Sequence, residues 1–293
     1  MFTKLECKVE ENYNLKDITT MGVGGPCKYY VVPNTIEDIQ EVKQKCAQSD
    51  TQLLIIGNGS NVIIDDSGFD GVVLHVGKRL RNMKLEQDHL YAEAGVALPN
   101  IAFTMAKEGI TGFEFMASIP GTVGGGVVMN AGSLGKETST VLKSVTYLDE
   151  EGMLHTKDNA ELGLSFRNSR FLGTKDIILS ANFSIERSPD KAALMEKTKE
   201  VANVRKKKFP MNVATVGSTF KSPFNGPHPG NLIEKVGLKG YQVGGAQIST
   251  VHANWVINTG SATSQDVKEL IRIMQDTVKQ ELGVWMEQEV IYI

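Results

Sequence analysis

The chain has 293 residues, of which 41 % are hydrophobic and 22 % charged, and a formal net charge of −3. That length suggests two or three domains with enough chain to bury a substantial core, and the charge excludes an overall basic field for nucleic acid or an anionic membrane. The three cysteines, Cys7, Cys27 and Cys46, are odd in number and show no CxxC spacing, so neither a disulfide framework nor a cysteine metal site is expected.

The first residues, 1–14, are polar and lack the apolar core of a signal peptide. No stretch approaches the ~18 uncharged apolar residues of a membrane span, so a cytoplasmic protein without membrane insertion is expected. Thr35 can cap a helix whose apolar face is Ile36, Ile39, Val42 and Cys46. Strands are expected at 52–57, 61–65 and 71–76, punctuated by Gly57 and Gly59. A strand at 90–94 and a helix from Leu98 to Glu108, stopped by Gly109, come next. The stretch from Gly112 to Gly135 is glycine-rich and weakly periodic. A hairpin then joins 145–148 to 153–156, and 177–185 reads as a strand. Ser188-Pro189 has the form of an N-cap and first helical residue, opening a helix to about Lys207. The last block holds a strand near 253–257, a helix capped by Thr263 or Ser264 and ended by Gly283, and a final strand 284–293. Strands and helices mix without a regular βα repeat, which points to α+β packing. Boundaries fall near 76 and 187, giving stretches 1–76, 77–187 and 188–293.

Two loops carry chemistry: Gly57-Asn58-Gly59-Ser60-Asn61, and Ile119-Pro120-Gly121-Thr122-Val123-Gly124-Gly125. Glycine has no Cβ and tolerates positive φ, so backbone N–H groups in such loops can approach a diphosphate closely. Neither loop has a lysine, so binding would rest on neutral dipoles. A Rossmann fingerprint at Gly57 would need a third small residue where Val62 stands, and a Walker A loop ending at Lys136 would need Gly and Ser/Thr where Asn130 and Glu137 stand. The residues alone indicate a phosphate-bearing ligand on neither standard scaffold.

Further motifs follow in order: Thr20-Met-Gly-Val-Gly-Gly25-Pro26 ahead of the loops, then Met129-Asn-Ala-Gly132, Gly217-Ser-Thr-Phe-Lys221, Gly244-Gly-Ala-Gln247-Ile-Ser249, His252-Ala-Asn254 and Glu287-Gln-Glu289-Val290. With the two loops, this series resembles the UDP-N-acetylenolpyruvoylglucosamine reductase (MurB) family over essentially the whole chain, in its shorter form. The resemblance implies a two-part FAD-binding region of the vanillyl-alcohol-oxidase/PCMH type and a C-terminal α+β domain for the UDP-sugar. It implies non-covalent FAD, reduced by NADPH, passing hydride from flavin N5 to the vinyl carbon of UDP-N-acetylglucosamine-enolpyruvate to give UDP-N-acetylmuramate. A monomer is expected.

By the same resemblance Ser218 is the proton donor, Arg167 lies near the substrate carboxylate, and Glu289 is the catalytic glutamate. An always-charged, bidentate guanidinium suits a carboxylate, and positioning makes up for the weak acidity of a serine hydroxyl. Lys208, Lys221, His252 and Asn254 are implied on the nucleotide-sugar side. Two positions depart from the family pattern: Phe166 replaces the usual tyrosine before Arg167, and Ser222 replaces the usual asparagine after Lys221. The competing readings are an oxidase of a small alcohol or sugar on the same wider fold, and a flavin- or nucleotide-binding module without turnover.

Overall fold

The computed structural model describes residues 2, 5–208, 213–223 and 225–293, apart from the side chains of Arg205, Lys207 and Lys208. Each helix expected from the sequence forms where a local signal starts it. At α1 (Ile36–Gln48), Thr35 Oγ1 accepts from Asp38 N and the Asp38 carboxylate accepts from Thr35 N, a reciprocal capping box. Helix α2 (Leu98–Glu108) stops at Gly109, whose φ of +77° only glycine adopts without strain. Helix α3 (Val123–Val128) is one and a half turns inside the glycine-rich stretch, too short for the sequence to show a period. Helix α4 (Lys191–Lys208) begins later than Ser188-Pro189 suggested. Asp190 Oδ1 accepts from Ala193 N at 2.9 Å, so the aspartate, an N-cap at least as good as serine, takes that role. Helix α5 (Pro229–Lys235) was not expected; α6 (Ser264–Leu282) carries a Thr263/Asp266 capping box and ends at Gly283.

The chain divides into two units, each built from separated stretches. The first comprises Met1–Glu11, Tyr29–Asn58 and Gly71–Arg205. Its N-terminal sheet has the order Lys8–Asn14, Pro26–Val32, Phe69–His75, Gln52–Ile56, and the last two strands run parallel from Gln52↔Gly71 to Ile56↔His75. Ile39, Val42 and Cys46 of α1 pack with Val31, Val72 and Leu74. A second, antiparallel sheet has the order Leu154–Asp158, Leu142–Leu148, Ile177–Ser184, His89–Glu93, Met83–Leu85. Ile101 and Met105 of α2 pack with Leu90, Phe113 and Phe183.

The second unit comprises Asn12–Lys28, Gly59–Asp70 and Lys206–Ile293. Its antiparallel sheet has the order Ala214–Ser218, Trp255–Asn258, Ala246–Ile248, Gln242–Val243. One face of α6 (Val267, Leu270, Ile271, Met274, Val278) is fully buried in this unit's core, each side chain contributing ~2 kcal/mol. The expected continuous strand 284–293 is instead a bridge from Gln288 to Phe220, then Ile291–Tyr292 beside Val62–Ile63. It is interrupted because its residues pair with two different segments. The mixed, mostly antiparallel arrangement is α+β. No helix among the described residues is long and apolar enough to cross a membrane.

Candidate active site

In the first unit the strand Gln52–Ile56 delivers Gly57 and Asn58 beside the second glycine loop. Asn58 Nδ2 donates to the Pro120 carbonyl at 3.0 Å, tying the two loops together. A Cβ on Gly57 would lie 2.6 Å from Thr122 Oγ1, so glycine is required for this approach. Beneath the loop, His75 Nδ1 lies 2.6 Å from the Tyr30 hydroxyl, and the Gly57 backbone interacts with the ring. Burial, then the nearby Lys78 charge, lowers its pKa to about 4. Sequence reading missed this pair; the one signal was a histidine closing the apolar run Val72-Val-Leu-His75.

A helix start normally offers unsatisfied N–H groups to an anion. At α3 they are engaged internally. Val123 N donates to Val96 O and Gly124 N to Ala94 O, both at 2.9 Å; Gly126 N donates to Thr122 O at 2.7 Å and Gly125 N to Thr122 Oγ1 at 3.4 Å. What Gly124 contributes is close approach, since a Cβ there would sit 3.3 Å from Ala94 Cβ. The N–H groups of Gly124 and Gly125 thus have internal acceptors, whereas Gly57, Asn58 and the Ile119–Thr122 turn meet at the tied loops. A pair of tied loops with no room for a Cβ at 57 and no lysine fits a diphosphate-bearing cofactor held by neutral dipoles. Among the described residues no cluster of His, Cys, Asp or Glu could hold a metal ion.

The far end of α3 leads to Arg167. Asn130, fully buried, donates through Nδ2 to the Ser165 carbonyl at 3.0 Å and to Glu137 Oε2 at 2.9 Å, and accepts from Ser139 N. Ser165 and Asn168 exchange both backbone hydrogen bonds at 3.1 Å, leaving Phe166 and Arg167 at the tip. Arg167 has φ +52°, a position such turns usually give to glycine. Its Nη2 donates to Gly132 O at 3.1 Å, and its guanidinium stacks 5.1 Å from the Phe166 ring centroid. A strained, half-buried arginine held at a tip is a functional signal.

The second unit holds Gly59, Ser60, Asn61, Ser218 and Glu289. Gly59 has φ +59°, and a Cβ there would lie 2.2 Å from Ile18 O. Ser218 ends its strand on a β-bulge: the register passes from Thr215↔Ile257 to Ser218↔Trp255, with Gly217 at φ +79°. Thr215 fixes the bulge, accepting from Gly217 N and donating to Val256 O. Bulges re-aim side chains beside active sites. Among the described residues the half-buried Ser218 hydroxyl has no hydrogen-bond partner. Glu289 N donates to Thr219 O at 2.9 Å, and Asn61 Nδ2 donates to Glu289 O at 3.0 Å. One ladder thus joins the first glycine loop's second half, the glutamate and the residue following the serine.

Lys221 Nζ pairs with the exposed Glu287 at 2.5 Å. His252 lines an open pocket of about 290 Å³ with His228, Asn231 and Glu234. Its Nδ1 accepts from Asn254 N at 3.3 Å, which leaves Nε2 to carry the proton of the neutral ring. Asn254 is fully buried, and its carboxamide bonds both backbone groups of Phe220. Lys208 is the last residue of α4, and its side chain lies outside the described residues.

Comparison with known proteins places these features in a family. Residues 209–293 match the model for the UDP-N-acetylenolpyruvoylglucosamine reductase C-terminal domain, and residues 27–157 that for an FAD binding domain. The UDP-N-acetylenolpyruvoylglucosamine reductase of Protochlamydia amoebophila is 40 % identical over 291 residues, 99 % of this chain and 95 % of that one. The enzyme of the same name from Syntrophomonas wolfei is 38 % identical, over 97 % and 94 %. The crystal structure of UDP-N-acetylenolpyruvylglucosamine reductase from Thermus caldophilus superposes with a TM-score of 0.83 at 32 % identity, covering 98 % of this chain and 99 % of that one. Cholesterol oxidase from Brevibacterium sterolicum shares the fold alone, with a TM-score of 0.50 at 13 % identity over 64 % of this chain and 39 % of its own.

Proposed function

Because the chain belongs to the UDP-N-acetylenolpyruvoylglucosamine reductase family, we propose that it reduces UDP-N-acetylglucosamine-enolpyruvate to UDP-N-acetylmuramate with NADPH as reductant, and that Ser218, Arg167 and Glu289 carry the chemistry that the cofactor does not. It is an FAD-binding oxidoreductase of peptidoglycan precursor synthesis. FAD, when bound, supplies the hydride that adds to the vinyl CH₂ and is restored by NADPH. The two glycine loops serve its diphosphate without a covalent bond.

Hydride addition leaves negative charge on the neighbouring carbon and its carboxylate. Arg167 meets the carboxylate with a charge that is never lost, and Glu289, kept protonated by the negative charge beside it, donates a hydrogen bond to the developing enolate. Ser218 donates the proton that completes reduction of the double bond. Lys208, Lys221 and His252 serve the nucleotide diphosphate within the UDP-sugar stretch 188–293, while 1–76 and 77–187 serve FAD. The three cysteines are buried and free, and burial raises each to about 11, so they stay as inert thiols.

The observation that carries this reading is the serine on its bulge, its hydroxyl without a partner among the described residues, one residue from the backbone bond to Glu289. The test is NADPH oxidation by the yellow holoprotein with and without the enolpyruvyl sugar. Loss of substrate-dependent turnover in Ser218→Ala with FAD retained is expected. A wild-type flavoprotein that ignores this sugar would refute the proposal.

A further inference from the structure

The strand that carries Ser218 ends there, and so does its partner. Beyond Ser218↔Trp255 the neighbouring strand has run out, because the chain before Trp255 turns away at 252–254. Yet the next segment, Thr219-Phe220-Lys221, is still hydrogen-bonded on both sides, with a bridge from Phe220 to Gln288. On one side it bonds to the C-terminal segment: Glu289 N donates to Thr219 O at 2.9 Å, and Lys221 N to Glu287 O at 2.8 Å. On the other side the missing strand is replaced by one residue, Asn254. Its main-chain carbonyl accepts from Thr219 N at 2.8 Å. Its Oδ1 accepts from Phe220 N at 3.0 Å, and its Nδ2 donates to Phe220 O at 2.9 Å. A carboxamide offers a donor and an acceptor in the geometry of a peptide group. Here it completes the ladder as a peptide would.

Phe220 and Asn254 are both fully buried, so water cannot replace these bonds. His252 holds the bracket in turn, its Nδ1 accepting from Asn254 N at 3.3 Å.

We infer that Asn254 is a positioning residue for the proton-transfer site: it fixes the backbone segment that follows Ser218 and leads to the bond with Glu289, and it contacts no ligand. The inference rests on the reading of Ser218 and Glu289 given above. It separates Asn254 from His252, which the sequence had grouped with it on the nucleotide-sugar side. A displacement of ~1 Å in such a site costs about 100-fold in rate.

The test compares Asn254→Ser and Asn254→Asp with wild type and Ser218→Ala as FAD holoproteins. Asn254→Ser removes the bracket without burying a charge; Asn254→Asp keeps the acceptor and loses the donor to Phe220 O. Reduction of bound flavin by NADPH should stay within about twofold of wild type. Reoxidation by the enolpyruvyl sugar should fall on the order of 10- to 100-fold, with KM for the sugar within about threefold. The double variant with Ser218→Ala should be no slower than Ser218→Ala alone. Independently of activity, hydrogen exchange in the protein without cofactor should show faster exchange at 217–221 with the strand Ala246–Ile248 still protected. A raised KM with unchanged turnover would make Asn254 a ligand contact and overturn the inference. So would equal loss of both half-reactions, loss of FAD, or wild-type exchange and rates. If Ser218→Ala is itself as fast as wild type, the underlying reading has failed, and that result is visible without any Asn254 variant.

Discussion

A histidine buried under the first glycine loop contributes a pH-dependent part of the protein's stability. His75 is 7 % exposed and hydrogen-bonds the Tyr30 hydroxyl at 2.6 Å. Burial lowers its pKa from 6.5 to about 4. In the unfolded chain the ring takes up a proton as pH falls below 6.5; in the folded chain it resists until about 4. Between those values the unfolded state binds more protons, so stability falls as pH falls. At ~1.4 kcal/mol for each pH unit, the whole interval corresponds to about 3 kcal/mol, fully lost below pH 4. The substitution His75→Gln keeps an acceptor and a donor but cannot titrate. Urea unfolding of both proteins at several pH values from 7.5 to 4 measures the difference. Other carboxylates contribute equally to both curves, so wild type minus variant isolates the histidine. Wild type should lose about 3 kcal/mol relative to the variant across the interval. Parallel curves would refute the claim that a buried neutral imidazole supports this loop.

Three further outcomes follow from backbone geometry and the site. Arg167→Gly should abolish turnover yet leave thermal stability equal or higher by about 1 kcal/mol, because it relieves a positive φ; a melting temperature several degrees lower would show that the side chain holds the turn. Gly59→Ala should lose more than ~2 kcal/mol and release FAD, since strain adds to a contact with Ile18 O. Gly217→Ala has φ +79° but nothing within 4 Å of the added Cβ, so calorimetry should show a loss of only ~1 kcal/mol while turnover falls through the displaced bulge; equal losses in the two glycine variants would sink the distinction.

The caps of α1 and α6 and the stop of α2 at Gly109 were legible because their partners lie within a few residues. The same locality explains the misplaced start of α4, where Ser188 and Asp190 are two acceptable caps and only packing decides. The division of the chain was not legible, since 12–28 and 59–70 join the second unit through bonds such as Thr20 Oγ1 to Thr215 O, 195 residues apart. Site residues with motif neighbours, Ser218 after Gly217 and the loop at 57–61, could be named; the residues that hold them could not. Asn130 reaches Ser165 across 35 residues, and Asn254 reaches Phe220 across 34. Nothing in hydrophobic periodicity separates either from a turn asparagine. Asn130 also has a local role: at φ +40° it ends α3, its N–H donating to Val127 O at 3.1 Å while that of Ala131 donates to Gly126 O at 2.8 Å. Asn254 caps no helix. Both are fully buried, and each carboxamide bonds a backbone that carries a candidate catalytic residue. An aspartate of the same size would lose the donor and a leucine both groups, so the remote peptide that each carboxamide completes favours asparagine at both places.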